Sequence, residues 1–155
     1  MNKKEGKKKR KTDYKKVLDR VFAEYIKLRD SEEYGFEYFK CISCGKILPI
    51  RKADAGHYFS RRHNSVRFDE DNVNAECSYD NRFNAEHLEY YRRNLIAKIG
   101  KNRFDSLCSR VLKHRKFTEP ELKELISHYR ELINNFKTGK NGNPGRVDGE
   151  HGDDG

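Results

Sequence analysis

The chain has few apolar residues and no long run of them. Hydrophobic side chains make up 34% of its 155 residues and charged ones 38%, so the core is expected to be small and to need a cross-link such as a bound metal. No apolar run follows the basic N-terminus, as a secretory signal would require, and no segment approaches the ~20 apolar residues of a membrane span. We therefore expect a protein of the reducing cytoplasm, without a membrane partner.

Cysteine is scarce as well, and its spacing argues for metal binding. Disulfides are rare in a reducing compartment, so the four cysteines are better explained as metal ligands. Cys41 and Cys44 form a Cys-x-x-Cys knuckle followed by Gly45, a sequence that lets backbone amides turn toward two thiolates. The thioredoxin-like context that a redox dithiol would need is missing. We therefore predict that this knuckle binds a metal.

A second knuckle begins at Cys77, but its second cysteine is missing and Asp80 occupies that place. Because zinc also accepts a carboxylate oxygen, the two knuckles together predict a structural zinc site made of Cys41, Cys44, Cys77 and Asp80. Carboxylate is a harder and less favoured ligand for structural zinc. Two alternatives therefore remain: Cys108 supplies the fourth sulfur, or no zinc is bound and packing alone holds the knuckle.

The hydrophobic pattern divides the chain into five segments. Asp13 caps a first helix, short β-rich pieces ("FEYFKC", "KILPI" and "GHYFS") follow, and helical periodicity returns after Asn81. Thr118 and Glu121 form a capping box for the last helix. We predict an α+β protein with a basic disordered arm, an N-terminal helix, a β-rich core, C-terminal helices and a disordered tail, at residues 1–12, 13–35, 36–100, 101–137 and 138–155 respectively.

Positive charge predominates, with 34 Lys and Arg against 25 Asp and Glu and a formal net charge of +9. This is the balance of a polyanion binder, and nucleic acid is the expected partner. Several basic residues cluster in the central segment. We predict that contacts with DNA phosphates come from this basic group, made of Arg61, Arg62, His63, Arg67 and Arg82.

Three side chains of the central core have the types that phosphodiester hydrolysis needs. His57 is an imidazole with an ordinary pKa of ~6.5, which suits a general base acting on water. Asn81 offers a carboxamide oxygen to a divalent cation that would neutralise the phosphate. Asn72 can accept a hydrogen bond from the imidazole and orient it. Each residue alone also has an ordinary structural explanation, as a solvated histidine, a turn residue or a helix cap.

The order of these residues resembles a known family. The chain resembles the phage lambda-type NinG (Rap) recombination nucleases in five short motifs, which are "CISCGK", "AGHYFSRR", "RFDEDNVNAEC", "NRFN" and "YRRNLIAKIG". The likeness to that family covers residues 39–100, and the segment also resembles the HNH, or ββα-metal, nuclease fold, with a zinc-knuckle hairpin and flanking helices. The resemblance implies an endonuclease of the bacterial host cytoplasm or nucleoid that depends on Mg²⁺ or Mn²⁺. It would cut branched DNA, such as Holliday junctions and D-loops, during phage recombination.

The resemblance also implies individual roles. His57 corresponds to the general base, Asn72 to the middle asparagine of the HNH signature, and Asn81 to a ligand of the catalytic divalent ion. One departure stands out, because Gly56 stands where many HNH enzymes have a metal-binding aspartate. The missing ligand would then come from His57 itself, Asp54 or Asp80.

The oligomeric state and the activity each have an alternative. A resolvase that cuts two strands would act as a homodimer paired through the helices after Gly100, although their apolar faces would equally complete a monomer core. The alternative function is a non-catalytic zinc-knuckle protein that binds nucleic acid, since the net charge is +9 and the acidic residue before His57 is missing. Such a protein would bind with strong salt dependence and no turnover.

Overall fold

The computed structural model describes residues 10–139, so most of the predicted basic arm and of the glycine-rich tail lies outside the described residues. Short 3-10 turns occur at Glu32–Tyr34 and Ile50–Lys52. The described chain otherwise forms four strands and five helices: β1 (Tyr38–Lys40), β2 (Ile47–Pro49), β3 (Ala53–His57), β4 (Val73–Cys77), α1 (Tyr14–Ser31), α2 (Ser78–Phe83), α3 (His87–Ile99), α4 (Lys101–Val111) and α5 (Glu119–Lys137). The strands make two antiparallel pairs, β1 with β2 and β3 with β4. The predicted α+β class is confirmed.

The predicted helix boundaries follow from local caps. Asp13 accepts a hydrogen bond from the amide of Lys16 at 3.2 Å and begins α1. Thr118 and Glu121 exchange side-chain-to-backbone bonds at the start of α5, which confirms the predicted capping box. α3 ends at Gly100, whose φ of +84° suits glycine. These caps satisfy backbone groups that a helix end leaves unpaired.

The third strand lies earlier than the sequence pattern indicates. β3 ends with His57, which pairs with Val73 of β4, so the predicted strand piece "GHYFS" is wrong beyond its histidine. There the side chain of Asn72 binds both the N–H and the C=O of Phe59. These side-chain bonds replace the backbone hydrogen bonds that Phe59 would make to a neighbouring strand. The chain therefore continues as a loop after His57. The His57 side chain consequently stands where β3 meets that loop.

The helix predicted after Asn81 is two helices rather than one. Asn81 lies in the middle of α2, a helix of 6 residues, and not at a helix start. Asn84 ends α2, because its side-chain amide donates to Asp80 at 3.0 Å and its side-chain oxygen accepts from the amide of Glu86 at 3.1 Å. Such local bonds compete with the helical backbone pattern. The chain therefore turns before α3 begins.

Three small clusters of buried side chains form the core. α1 packs against α5 through aromatic residues such as Phe22 and Tyr129, whose ring centroids are 4.9 Å apart. α3 and α4 enclose a second cluster around Tyr91 and Leu95, and the strands enclose a third around Phe39. The C-terminal helices thus contribute to the core of a single chain, one of their two predicted roles. No helix within residues 10–139 is long and apolar enough to cross a membrane.

The long loop between β3 and β4 is held by its own acidic residues. Asp69 binds Arg110 of α4 at 2.7 Å. Glu70 accepts hydrogen bonds from Tyr25 of α1 at 2.8 Å and from Tyr129 of α5 at 3.3 Å. Three helices therefore fix the position of the loop relative to β3.

Replacement of the α5 cap tests this account of the fold. We expect Thr118→Ala to lower the free energy of unfolding by about 1 kcal/mol, because the amide of Glu121 loses its acceptor. Thr118→Ser keeps the hydroxyl and should retain the wild-type value. Urea unfolding followed by circular dichroism measures both variants. Equal stability of the alanine and serine variants would show that the cap contributes nothing.

Candidate functional site

Three cysteines and one aspartate from separate elements converge. Cys41 follows β1, Cys44 lies in the turn before β2, Cys77 ends β4 and Asp80 belongs to α2. The ligand atoms of these residues all lie within 4.8 Å of one another. A tetrahedral zinc with bonds of ~2.3 Å needs sulfurs about 3.8 Å apart. The set therefore fits a zinc ion, and its members are the four residues that the sequence predicts.

Backbone groups support this cluster. Gly45 adopts a φ of +71° and closes the first knuckle, with its amide bonded to the carbonyl of Cys41 at 2.9 Å. The amide of Cys77 donates to Cys41 Sγ at 3.2 Å, and the amide of Asp80 donates to Cys77 Sγ at 3.5 Å. Amide donors favour the charged form of an acceptor. The knuckle is thus arranged to receive thiolates.

Asp80 is the fourth member of the cluster. Its Oδ2 lies 3.4 Å from Cys41 Sγ and 3.2 Å from Cys77 Sγ. Cys108 packs instead among the apolar residues of α3 and α4, so the alternative in which Cys108 completes the site is wrong. Asp80 is buried in the cluster and does not line the cleft around His57, which argues against it as a ligand of a catalytic ion.

Whether the cysteines of the cluster are thiols or thiolates depends on whether a cation is bound. Burial raises the pKa of the Cys44 thiol to about 11 and also raises the pKa of Cys77, so without a cation these sulfurs stay neutral. Burial acts to raise the pKa of Asp80 too, but hydrogen bonds from Asn84 and the thiols outweigh it, and the pKa lies below its ordinary value. Zinc takes cysteines as thiolates and releases their protons. The donor set therefore suits a structural zinc.

A second group of polar residues lines a cleft of about 340 Å³. β3, α2, α1 and the loop after β3 contribute its charged and polar side chains, which are Asp54, His57, Asn81, Arg82, Asp19 and Arg61. Two of the three predicted catalytic residues, His57 and Asn81, thus face one cleft. They come together because α2 directly follows β4, the partner strand of β3.

His57 is held in one orientation. Its Nε2 lies 2.9 Å from the carbonyl oxygen of Arg67. Because a carbonyl only accepts, Nε2 carries the proton and Nδ1 keeps the lone pair of the neutral ring. Burial lowers the pKa of His57, and the positive charge of Arg61 lowers it further. The ring is therefore neutral at pH 7, the form that a general base requires.

Asp54 and Asn81 form a pair in the cleft. The side-chain amide of Asn81 donates to Asp54 Oδ2 at 3.1 Å, and the guanidinium of Arg82 binds the two carboxylate oxygens at 2.9 and 3.0 Å. Burial acts to raise the pKa of Asp54, but the bonds from Arg82 and Asn81 outweigh it, so the pKa lies below its ordinary value. Asp54 is thus a carboxylate at pH 7, and it places a negative charge beside Asn81.

Asn72 does not bond to the imidazole, so that part of the prediction is wrong. Its side chain is fully buried and binds both backbone groups of Phe59 and the carbonyl of Val66, the latter at 3.0 Å. These bonds fold the loop so that the Arg67 carbonyl reaches His57. Asn72 thus holds the loop segment whose Arg67 carbonyl lies against His57 Nε2.

The predicted basic group contains two kinds of residue. Arg67 is committed within the fold, because its guanidinium binds Asp19 of α1 at 2.9 Å. Arg82 is paired with Asp54, although 61% of its side chain is exposed. The remaining members lie at the surface of the loop after β3 and are more accessible to a nucleic acid: Arg61, Arg62 and His63.

The sequence pattern misses a buried polar cluster beside the β3–β4 pair. Glu76 of β4 is fully buried, accepts a hydrogen bond from Ser43 at 2.5 Å and contacts His87 Nδ1. A Cβ added to Gly56 would lie 2.2 Å from Glu76 Oε2. No sequence motif distinguishes this glutamate, because the sequence of a short strand does not show whether its Glu side chain is buried or exposed.

The fold and the two sites define a small α+β protein with a candidate cysteine-rich metal centre and a polar cleft. The family model described as "Bacteriophage Lambda NinG protein" matches residues 1–139. The chain therefore belongs to the NinG family, and the resemblance that its motifs indicate is confirmed at the level of the family.

Curated relatives of the chain are phage proteins. Protein ninG of Escherichia phage lambda is 32% identical over 101 residues, which cover 64% of this chain and 48% of the relative. Protein ninG of Salmonella phage P22 is 35% identical over 98 residues, which cover 63% of this chain and 47% of the relative. The chain thus spans about half the length of the curated relatives it matches. No solved structure matches it significantly.

Metal content tests the role of Asp80. We expect the purified protein to retain Zn²⁺ after dialysis, as measured by inductively coupled plasma mass spectrometry. Asp80→Ala should weaken zinc binding by at least the ~10- to 100-fold that follows loss of even an outer-shell partner. Asp80→Cys restores a fourth ligand and should retain the metal. Cys108→Ser is the matched control and should retain zinc. Loss of zinc from that variant would show that Cys108 is the fourth ligand.

Proposed function

We propose that the protein is a divalent-metal-dependent DNA endonuclease of the HNH, or ββα-metal, type that cuts branched DNA during phage recombination. The observation that carries the proposal is the shared cleft of His57 and the Asp54–Asn81 pair. β3, β4 and α2 follow each other in the strand–strand–helix order of that nuclease type. Membership of the NinG family supports the phage context.

Residues of the chain itself account for proton removal. His57 would accept a proton from water at Nδ1, while the Arg67 carbonyl keeps the opposite nitrogen protonated. The lowered pKa of His57 keeps this base unprotonated into mildly acidic solution. Arg61 lines the same cleft and would bind a phosphate oxygen beside the base.

Asp54 and Asn81 are the residues that would hold the divalent ion. A carboxylate and a carboxamide oxygen suit Mg²⁺ or Mn²⁺, which prefer hard oxygen ligands. When bound, such an ion neutralises the charge that develops on the phosphate. Asp54 would then take the part of the aspartate that is missing at Gly56. His57 is left free to act as the base.

One observation favours a second candidate, a non-catalytic zinc-knuckle protein that binds nucleic acid. Both carboxylate oxygens of Asp54 are already bound by Arg82, so a cation has to compete with a guanidinium. If Arg82 stays in place, the cleft binds DNA without cutting it. DNA cleavage and binding of a divalent ion are expected of the endonuclease and not of the non-catalytic protein, so measuring both separates the two functions.

Replacement of the base tests the activity. With Mg²⁺ or Mn²⁺, the wild-type protein should cut a synthetic four-way junction, and His57→Ala should lower the rate by roughly 100- to 10,000-fold, the usual contribution of a general base. Junction affinity should be retained in a gel-shift assay.

The matched control for this experiment is His114→Ala, because His114 is exposed and lies outside the cleft. This variant should cut at the wild-type rate. Full activity of His57→Ala would remove that residue from its role. Wild-type protein that leaves junctions, flaps and duplexes all uncut would favour the non-catalytic candidate.

Metal binding without turnover tests the ligand pair. In a Mn²⁺ titration followed by electron paramagnetic resonance, Asp54→Ala and Asn81→Ala should each weaken Mn²⁺ binding about tenfold, because each removes an oxygen ligand. Arg82→Ala should strengthen binding, since it frees the carboxylate of a competing positive charge. Asp105→Ala, an exposed carboxylate of α4, serves as the control. Unchanged Mn²⁺ binding in Asp54→Ala would exclude Asp54 from the site.

A further inference from the structure

Helix α2, which contributes two residues to the cleft, also carries two exposed aromatic side chains. Tyr79 is 68% exposed and Phe83 is 75% exposed. About one helical turn separates them, and their ring centroids are 6.4 Å apart. The same helix buries Asp80 in the metal cluster and presents Asn81 and Arg82 to the cleft. The two rings therefore belong to the same short helix as Asn81 and Arg82, which line the cleft.

The surroundings of the two rings suit a nucleic acid better than a protein. Their neighbours on α2 are polar, and the adjacent Arg82 side chain is 61% exposed. Apolar patches that bind proteins are continuous and usually extend over several hundred Å², which two rings on a helix of 6 residues do not provide. Aromatic rings beside basic side chains are the arrangement on which unpaired bases stack, and the exposed guanidinium of Arg82 provides such a neighbour in a chain of net charge +9.

We propose that Tyr79 and Phe83 form a stacking site for unpaired nucleobases at the branch point of the bound DNA. The inference rests on the proposed function and deepens it, because it names the feature of branched DNA that the protein recognises. In a regular duplex the faces of the bases are stacked on one another. A ring on the protein surface can therefore stack only on a base that has left the helix, and branch points supply such bases with the least loss of pairing.

The location of the rings connects recognition with cutting. Asn81 lies between Tyr79 and Phe83 in sequence and faces the cleft that contains His57. A base stacked on either ring would hold its neighbouring phosphodiester close to that cleft, with the exposed guanidinium of Arg82 beside it. A continuous duplex offers no free base to the rings, so its phosphodiesters are not held at the cleft in this way.

A mutant cycle between protein and DNA tests the stacking site. The probe is a synthetic four-way junction that carries either natural bases or abasic sites at the branch, in buffer without added Mg²⁺ or Mn²⁺. We expect Tyr79→Leu and Phe83→Leu, which keep an apolar side chain but remove the ring, each to weaken binding about tenfold. Abasic sites should weaken wild-type binding by a similar factor. The two losses should not add, since they remove the same contact.

Aromatic exchanges and an unrelated apolar residue provide the controls. Tyr79→Phe and Phe83→Tyr keep the rings and should keep wild-type affinity. Leu112→Ala changes a side chain that is 87% exposed after α4 and should bind normally. Additive losses, or leucine variants that bind as tightly as wild type, overturn the inference. A changed sedimentation coefficient with unchanged DNA affinity also overturns it, because the rings would then contact another copy of the chain.

The outcome is independent of the outcome for cleavage. If the wild-type protein cuts no substrate but the two losses are non-additive, the stacking site stands as part of a non-catalytic DNA-binding protein. If cleavage depends on His57 while the losses are additive, the stacking site fails and the endonuclease remains.

Discussion

The cluster of Cys41, Cys44, Cys77 and Asp80 is the interaction on which the rest of the site depends. α2 has 6 residues, fewer than the ~12–15 that an isolated helix needs in water. Its first turn is held by the cluster, since Cys77 Sγ accepts from the amide of Asp80 and the Asp80 carboxylate is itself a member of the cluster. The same helix carries Asn81 into the cleft. The cluster of three cysteines and one aspartate thus determines where Asn81 stands.

The opposite wall of the cleft depends on contacts that are distant in sequence. His57 takes its orientation from the carbonyl of Arg67, which belongs to the loop that Asn72 folds. That loop is in turn held to α1, α4 and α5 by Asp69 and Glu70. A buried polar side chain such as Asn72 is destabilising unless its hydrogen bonds are made. The flanking helices therefore do more than complete the core, because they hold the loop on which the imidazole depends.

Signals that act within a few residues could be predicted from the sequence, and pairings between distant residues could not. The caps at Asp13 and Thr118 are local, since a cap and its amide lie three residues apart. The partners of Asn72 and the ion pair between Arg67 and Asp19 are set by how helices and loop pack. Several acceptors suit each of these side chains equally well, so the sequence alone does not select among them. The group near the cleft that is free to bind phosphate is therefore smaller than the basic group that the sequence predicts.

Glu76 supplies a physical reason for the glycine before His57. Its carboxylate is buried against Ser43 and His87, and within residues 10–139 its Oε2 has no hydrogen-bond partner. A side chain at Gly56 would collide with that oxygen and with the Cβ of Glu76, so position 56 has no room for the carboxylate of an aspartate. Residues two apart in a strand share a face, so Asp54 offers a carboxylate on the face that an aspartate at position 56 would use. There the bonds from Arg82 and Asn81 keep the pKa of Asp54 below its ordinary value, so a carboxylate that has no room at position 56 is accommodated two residues earlier in the strand.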